Sequence, residues 1–453
     1  MAYKLNIQSL INLIYKKFQK LDVHTLEVVK KSSSSLIVKT LGIISAFVIS
    51  IILGRTIGPE GLGVIGLCNQ IIGIILILSM LGMNNVVLKE ISIACDSKNF
   101  KEVRNVIYTA IYVNIPAALL LSLMFICFSK WLSESLFEKP EFFIPFIILV
   151  LVVVPQTYSR IYAAGLNGLG KVWQSNLVND CLSSVIVALG LLAMFLNGNS
   201  ITLINVSLLY AVSRILVFAT IKWYWSRIFK FKSKPNFVGR RMIKVALPLL
   251  VVSSTSLIAS SADSIMLGWL SSVYEVGLYG VASSLGLMTN IFLAISISAL
   301  APKIAYLHAS KRTKELELVI QKITQILFFL GLLTFIGFSL LGEFILNFWG
   351  NEFKQSYWIL FIISLGQFFN IGTGSTGVYL MLTGHEKIIG KITLLSALLN
   401  LILNYVLIPI YGALGAAIAT CSTVIVENII KVIVVKKIDN ILTLPFFISS
   451  LIK

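Results

Sequence analysis

Apolar runs of about twenty residues recur along the whole chain, and they limit most strongly what it can fold into. A helix needs roughly 20 apolar residues to cross the hydrocarbon core of a bilayer. Hydrophobic residues make up 57% of the 453 positions and charged residues only 12%, whereas about a quarter of a soluble globular chain is charged. The sequence therefore predicts an all-α integral membrane protein.

Twelve such runs can be placed in the sequence. They cover residues 36–53, 62–82, 105–128, 142–164, 177–197, 201–221, 245–268, 276–302, 323–349, 357–382, 392–408 and 412–430. The stretch LGRTIGPEGLGVIGL at 53–67 separates the first two with Arg55, Pro59 and Glu60. Because an unbroken helix here would be far too long for a bilayer, and Pro and Gly end helices, we expect a tight hairpin.

The distribution of Lys and Arg predicts the orientation. With the N-terminus inside, the inner segments hold 30 of the 37 basic residues, and the outer loops hold only Arg55, Lys130, Lys139 and Lys354. Cytoplasmic loops are enriched in Lys and Arg. We therefore expect a multi-pass membrane protein with both termini in the cytoplasm. The net charge of +18 then belongs to inner loops, and no nucleic-acid partner is expected.

The first 35 residues do not have the pattern of a signal peptide. Apolar side chains at helical spacing fall on one face, opposite polar and basic ones: Ile7, Leu10, Ile11, Ile14, Phe18 and Leu21. This pattern predicts a basic amphipathic helix on the inner membrane surface, with a solvated tail as the alternative. The scattered five cysteines and three histidines predict no disulfide framework and no metal site.

Internal repetition suggests a duplicated architecture. The stretch 60–64 (EGLGV) resembles 275–281 (EVGLYGV), and Leu-Gly pairs precede both, at an offset of 214; Gly168-x-x-Lys171 recurs as Gly384-x-x-Lys387 at an offset of 216. Six is an even number, so both halves of six spans begin on the same side of the membrane. They are therefore expected to be parallel repeats about an axis along the membrane normal. The predicted units are a cytoplasmic segment 1–35, a first six-helix bundle 36–221, a basic linker 222–244, a second bundle 245–436 and a cytoplasmic tail 437–453.

Three stretches carry a resemblance to a known family. They are LGRTIGPEGLGVIGL, ADSIMLGWLSSVYEVGLYGVASSL (262–285) and NLILNYVLIPIYGALGAAIATCST (400–423). Together they resemble the O-antigen and lipid-linked oligosaccharide flippases of the multidrug/oligosaccharidyl-lipid/polysaccharide exporter superfamily, over about residues 35–436. The resemblance implies a V-shaped pair of bundles around a central cavity, alternating access, and an oligosaccharide on polyprenyl pyrophosphate as substrate.

The function expected from this resemblance is transport of the lipid-linked oligosaccharide from the inner to the outer leaflet. Membrane lipids, and polysaccharide polymerase and chain-length proteins, are the partners it suggests. A multidrug exporter of the same superfamily is one alternative. It would carry organic cations, so acids rather than arginines would be expected in its cavity. A membrane glycan polymerase or ligase is another, but no large outer loop is available to carry catalytic residues. No catalytic residue, cofactor or metal is therefore expected.

Cations inside the spans are the candidate substrate ligands, because an anion crossing a low-dielectric slab must be paired. Lys39, Arg160 and Arg214 lie within spans. Lys39 and Arg160 lie near span ends, so snorkelling to the surface is the alternative for both. Arg55 lies at the outer mouth, where it either meets the emerging sugar phosphate or pairs with Glu60. The resemblance places a basic residue near Lys39 facing the cavity.

Acids inside the spans are the candidate sites for a coupling ion. They are Asp263, Glu427 and Asp180. Each could bind a proton or a sodium ion, or could pair with a cation in a structural role. The resemblance includes an aspartate at the position of Asp263. Glu427 is offset from Arg214 by 213, close to the repeat period, so the two occupy roughly equivalent positions in the two halves.

The predicted topology can be checked with reporter fusions. Fusions after residues 60, 135, 199, 272, 353 and 411 should report the outside, because the outer loops are poor in Lys and Arg. Fusions after residues 95, 230, 312 and 387 should report the cytoplasm. Swapped signals at two consecutive loops would contradict the twelve-span arrangement.

Overall fold

A computed structural model of the chain describes residues 23–230, 234–447 and 449, without the side chains of residues 23–33, 251–260 and 299. The described residues form helices and no strand, which confirms the all-α class. The amphipathic helix predicted over residues 7–21 lies outside the described residues and stays a prediction.

The first part of the chain, which the structure describes from residue 23 to residue 230, forms eight α-helices. They are α1 (Val23–Met80), α2 (Met83–Asp96), α3 (Phe100–Trp131), α4 (Phe143–Leu151), α5 (Val153–Gly168), α6 (Val172–Asn176), α7 (Leu182–Leu196) and α8 (Leu203–Ile228). The second part, from residue 239, also forms eight. They are α9 (Gly239–Leu270), α10 (Val273–Leu287), α11 (Asn290–Ala309), α12 (Thr313–Leu346), α13 (Tyr357–Gly372), α14 (Thr376–Leu382), α15 (Glu386–Tyr411) and α16 (Ala413–Asp439).

Many of these helices are long and apolar enough to cross a membrane. Among the described residues, length and composition identify eight such segments, or up to ten if each of two bent helix pairs is one span. The segment Ser34–Met80 contains the first two predicted spans, and α9, which contains the seventh, is not among the eight. The chain is therefore a multi-pass membrane protein, and the number twelve stays a prediction.

Helix α1 is broken at Gly58, inside the stretch where the sequence predicts a hairpin. Gly58 has φ 67° and ψ −173°, a conformation outside the helical region that glycine adopts without a Cβ clash. An unbroken helix of 58 residues would be about 87 Å long. Ile49 and Ile65, on opposite sides of the break, line the same cavity, although a straight helix would hold them about 24 Å apart.

Close backbone contacts join the two parts of the chain near this break. A Cβ added at Gly63 would overlap with the Val273 carbonyl oxygen, and one added at Gly277 would overlap with the Pro59 carbonyl oxygen. The contacts are reciprocal, because 59 and 273, and 63 and 277, are each 214 apart. Small residues allow such close helix approach within membranes. We call this cluster of four residues the glycine contact.

A second reciprocal pair surrounds the glycine contact. Trp349 packs against Gly54, and Phe137 packs against Gly268, so each glycine of the two Leu-Gly pairs meets an aromatic side chain of the other part. Trp349 Nε1 also donates a hydrogen bond of 2.8 Å to Ser50 Oγ. The repeated glycines at positions 54, 63, 268 and 277 thus pack the two parts together.

Helix α9 links the first part of the chain to the region around Asp263. Near its start, Arg241 Nη2 lies 2.8 Å from Glu90 Oε2 and 2.5 Å from Glu102 Oε1, and Gly82 packs against the carbonyl of Ala246. These contacts attach the beginning of α9 to α2 and α3. Its last turns place Asp263 next to α15 and α16.

The glycine contact can be tested with matched alanine variants. Gly63→Ala and Gly277→Ala should lower the melting temperature of the detergent-purified protein, because overpacking costs about 1–3 kcal/mol. Gly66→Ala and Gly280→Ala are controls, since nothing lies within 4 Å of a Cβ at either position. These controls should be neutral or stabilising, because Ala is the better helix former. Equal melting temperatures for all four variants would contradict the contact.

Candidate functional site

A cavity of about 460 Å³ lies between the two parts of the chain, next to the glycine contact. Both arms of α1 and Tyr210 of α8 line it from the first part, and α9, α10, α13 and α16 line it from the second. Its polar side chains include Ser50, Asn69, Gln70, Asp263, Tyr279 and Gln367. A cavity with amide, hydroxyl and carboxylate groups on an otherwise apolar membrane protein is a candidate binding site.

The cavity walls repeat the offset of 214. Ser50 and Ser264 both line it, as do Gly66 and Gly280, and the same holds for Asn69 with Ser283 and for Gln70 with Ser284. The position of Asp263 corresponds in this numbering to Ile49, which also lines the cavity. The two walls therefore have the same layout, but only the second carries a carboxylate.

Three side chains donate hydrogen bonds to the Asp263 carboxylate, which is only 8% exposed. Tyr279 Oη and Thr420 Oγ1 each lie 2.6 Å from Oδ2, and Asn404 Nδ2 lies 2.6 Å from Oδ1. Among the described residues no Lys, Arg or His forms an ion pair with Asp263. Neutral donors alone therefore balance this buried charge.

One acceptor beside Asp263 is left without a partner. Asn404 Nδ2 also contacts Asn400 Oδ1 at 3.0 Å, but the fully buried Asn404 Oδ1 accepts no hydrogen bond. An orphaned buried oxygen costs about 1–3 kcal/mol. Carboxylate and amide oxygens are ligands for hard cations, so the residues around Asp263 fit a monovalent cation or a proton.

Glu427 lies in a second, smaller pocket that also reaches Asp263. This pocket has a volume of about 120 Å³ and lies between α9, α15 and α16. Glu427 Oε1 is 2.6 Å from Lys431 Nζ, one helical turn further along α16. The structural pairing left open by the sequence is therefore present for Glu427, and its partner Lys431 was not among the predicted site residues.

Arg214 lies directly behind the cavity wall. It is 8% exposed, its Nη2 donates a hydrogen bond of 2.6 Å to Asn69 Oδ1, and its guanidinium carbon is 5.8 Å from the ring centre of Tyr210. Both neighbours line the central cavity, whereas Arg214 itself does not. Its Nη1 is buried without a hydrogen-bond partner. Arg214 thus presents a positive charge one side chain away from the cavity.

Arg160 shares a pocket of about 40 Å³ with Arg214. Gln156 Oε1, in the same pocket, is buried without a partner. Space of this size holds a water molecule but no sugar or pyrophosphate. Asp180, which the sequence analysis placed inside a span, is exposed and lies in the five-residue π turn Leu177–Cys181.

The two remaining predicted cations lie outside the central cavity. Lys39 is exposed and lines none of the described pockets. Arg55 Nε donates a hydrogen bond of 2.8 Å to the Phe348 carbonyl oxygen, and Glu60 pairs with Lys139. The suggested pairing of Arg55 with Glu60 is therefore wrong, because the break at Gly58 directs the two side chains to different partners.

A family model described as "Polysaccharide biosynthesis protein" matches residues 28–308. The chain belongs to the polysaccharide biosynthesis protein family. A second model, MatE, matches residues 248–406. Membership in the polysaccharide biosynthesis protein family confirms the resemblance to polysaccharide flippases that the three motifs indicated.

Three curated relatives are similar to this polysaccharide biosynthesis family member. "Capsular polysaccharide biosynthesis protein CapF" of Staphylococcus aureus is 28% identical over 48% of this chain and 56% of its own length. The "Probable low-salt glycan biosynthesis flippase Agl15" of Haloferax volcanii is 24% identical over 83% of this chain and 76% of its own. A "Putative O-antigen transporter" of Escherichia coli K12 is 24% identical over 82% and 87%. The chain thus spans little more than half the length of CapF.

Solved structures share the fold. An inward-facing multidrug resistance MATE family transporter of the MOP superfamily superposes with a TM-score of 0.73 at 14% identity, over 90% of this chain and 98% of its own. The lipid II flippase MurJ, in an inward closed conformation, gives 0.72 at 17% identity, over 90% and 87%. At these identities the likeness concerns the fold alone.

Several residues of the site escaped the sequence analysis. Asn400 and Asn404 are four apart on one face of α15, and Tyr279 and Thr420 complete the donors around Asp263. All four lie in the stretches that carry the family resemblance. The available signal was amide side chains at i and i+4 in an apolar helix, a pattern that also occurs in ordinary helix packing.

Replacement of Arg214 tests whether its buried guanidinium group destabilises the fold. Arg214→Met keeps most of the volume and removes a buried cation without a carboxylate partner, so the melting temperature should stay equal or rise. Arg214→Ala leaves a void and should lower it, by an amount corresponding to roughly 2–4 kcal/mol. A Met variant as unstable as the Ala variant would show that the guanidinium itself stabilises the fold.

Proposed function

We propose that the protein is a flippase that moves a polyprenyl-pyrophosphate-linked oligosaccharide from the inner to the outer leaflet of the bacterial cytoplasmic membrane by alternating access. The observation that carries this proposal is the central cavity, whose polar wall comes from both parts of the chain and lies beside Arg214, a buried cation that pairs with no carboxylate among the described residues. The family and the relatives support a transporter rather than an enzyme.

The proposed architecture has twelve spans in two six-helix bundles related by a parallel repeat. The reciprocal contacts at an offset of 214 and the matching cavity walls support the repeat. Splitting α1 at Gly58 and counting α9 adds two spans to the ten candidates. The excess of Lys and Arg in alternate loops supports cytoplasmic termini, and the glycine contact then lies at the outer end.

The first part of the chain is proposed to receive the anionic part of the substrate. Hydroxyl and amide groups of the cavity suit a sugar, and the charges of Arg214 and Arg160 make its first-part wall positive. In this conformation Arg214 acts through Asn69, because its Nη2 donates a hydrogen bond to the side-chain amide oxygen Oδ1 of Asn69. We infer that an incoming phosphate replaces Asn69 as the partner of the guanidinium, which carboxylate and phosphate oxygens bind with two parallel hydrogen bonds.

The second part is proposed to hold the coupling ion. Asp263 has three neutral donors and an orphaned amide oxygen beside it, so a proton or a sodium ion there would neutralise the buried charge. Bulk membrane lipids surround the protein, and polymerase and chain-length proteins are proposed partners. A multidrug exporter remains the second candidate, because the one charged side chain that lines the described cavity is an acid.

Transport into vesicles tests the function and the role of Asp263 together. Reconstituted protein should carry a fluorescent lipid-linked oligosaccharide across the bilayer, faster under an imposed proton or sodium gradient. Asp263→Asn should remove the gradient response, because it keeps the shape but loses the charge. Asp96→Asn is the matched control, since this acid is exposed at the end of α2 and lines neither the central cavity nor the pocket beside Glu427.

The variants of Arg214 distinguish the substrate classes. Arg214→Met should stop oligosaccharide transport, and Arg214→Lys should restore part of it, because Lys keeps the charge but loses the bidentate fork. An organic cation carried equally well by parent and Arg214→Met, with no transport of the oligosaccharide by the parent, would establish the multidrug exporter instead. In cells, deletion should leave the lipid-linked glycan on the inner leaflet.

A further inference from the structure

The pocket beside Glu427 is a second polar space, and its end at Asp263 adjoins the central cavity. Asp263 and Thr420 line both, so the carboxylate lies at the wall between them. Seven of the nine residues that line the volume of about 120 Å³ carry hydroxyl, amide or carboxylate groups, and Ala397 and Val424 are the other two. A space of this size holds several water molecules.

Two stripes of polar side chains form the walls of this pocket. On α15 they are Thr393, Ser396 and Asn400, and on α16 they are Thr420, Thr423 and Glu427. Spacings of three and four residues place each stripe on a single helical face. Both stripes run from Asp263 toward the same end of the bundle, because α15 and α16 are consecutive helices joined by a tight turn at Gly412.

Glu427 closes the stripe at the end away from Asp263. Seven residues separate it from Thr420, which corresponds to about 10 Å along the helix. Its side chain is 20% exposed and its partner Lys431 14% exposed. Acids inside membrane spans are costly and mark ion paths when they line a polar space.

We propose that this pocket is the route of the coupling cation, a proton or a sodium ion, between Asp263 and the inner side of the membrane. Glu427 is the second carboxylate on that route, and Lys431 is the counter-ion that neutralises Glu427 while no cation is there. This inference rests on the proposed function, because it takes Asp263 as the coupling site.

The arrangement has a physical consequence for coupling. A cation that arrives at Glu427 competes with the Lys431 ammonium group for the same carboxylate, so ion entry must displace Lys431. Since the pocket and the central cavity meet at Asp263 and Thr420, the cation can reach or leave Asp263 from the pocket while a substrate fills the cavity. The ion and the substrate then follow separate paths that share this wall.

Ion exchange in vesicles tests the route with the full-length protein. Radioactive sodium exchange is measured in one arm, and proton flux with an internal pH dye in the other. In the arm where the parent is active, Glu427→Gln should slow exchange by about tenfold. Sodium- or pH-dependent thermal stabilisation should remain, because Asp263 is intact. Glu343→Gln, an exposed glutamate on α12, is the matched control and should exchange as the parent does.

A second variant separates the pocket from the charge of Glu427. Ser396→Leu fills the pocket and leaves both carboxylates in place, so it should also slow exchange. If Asp263→Asn abolishes exchange while Glu427→Gln and Ser396→Leu exchange at the parental rate, the route through the pocket is overturned and the coupling role of Asp263 stands. If Asp263→Asn itself exchanges like the parent, the coupling role falls as well.

Discussion

The glycine contact is the interaction on which the rest of the arrangement depends. Lipid chains are as apolar as leucine, so helices in a bilayer associate through close packing rather than through hydrophobic burial. At Gly63 and Gly277 no side chain keeps the backbones apart, and each helix meets a carbonyl group of the other part. One to two turns further along both helices, Gly66, Asn69, Gly280 and Ser283 line the cavity.

The two walls of that cavity have the same layout and different charges. Cations are found in the first part, where Arg214 and Arg160 share a pocket without a carboxylate, and acids are found in the second, where Asp263 and Glu427 share another. A duplicated chain with two identical walls would present the same charged groups in both halves. In the proposed function, the wall of the first part therefore serves an anionic ligand and that of the second part serves a cation, while the glycine contact joins the two parts.

These buried charges differ in the groups that stabilise them. Asp263 is held by three hydroxyl and amide donors rather than by a cation, and Arg214 by an amide oxygen and an aromatic ring rather than by an acid. Groups satisfied in this way remain available to a ligand of opposite charge, since binding exchanges a neutral partner for a charged one. Glu427 differs, because Lys431 already neutralises it, and a cation can bind there only in exchange for that ammonium group.

The sequence by itself determined the helical membrane class, the break near Pro59, the repeat offset and the identity of the charged residues inside the spans, because each depends on local composition or spacing. Only the tertiary structure decided which of those charges belong to a site. Lys39, Arg55 and Asp180 resemble Arg214 and Asp263 in the sequence, yet they are exposed or bind elsewhere. Helical periodicity specifies the face of each residue relative to its own helix, whereas the partner of that face depends on how distant helices pack. The donors around Asp263 come from three helices and lie up to 157 residues from it along the chain, so only the folded chain brings them together.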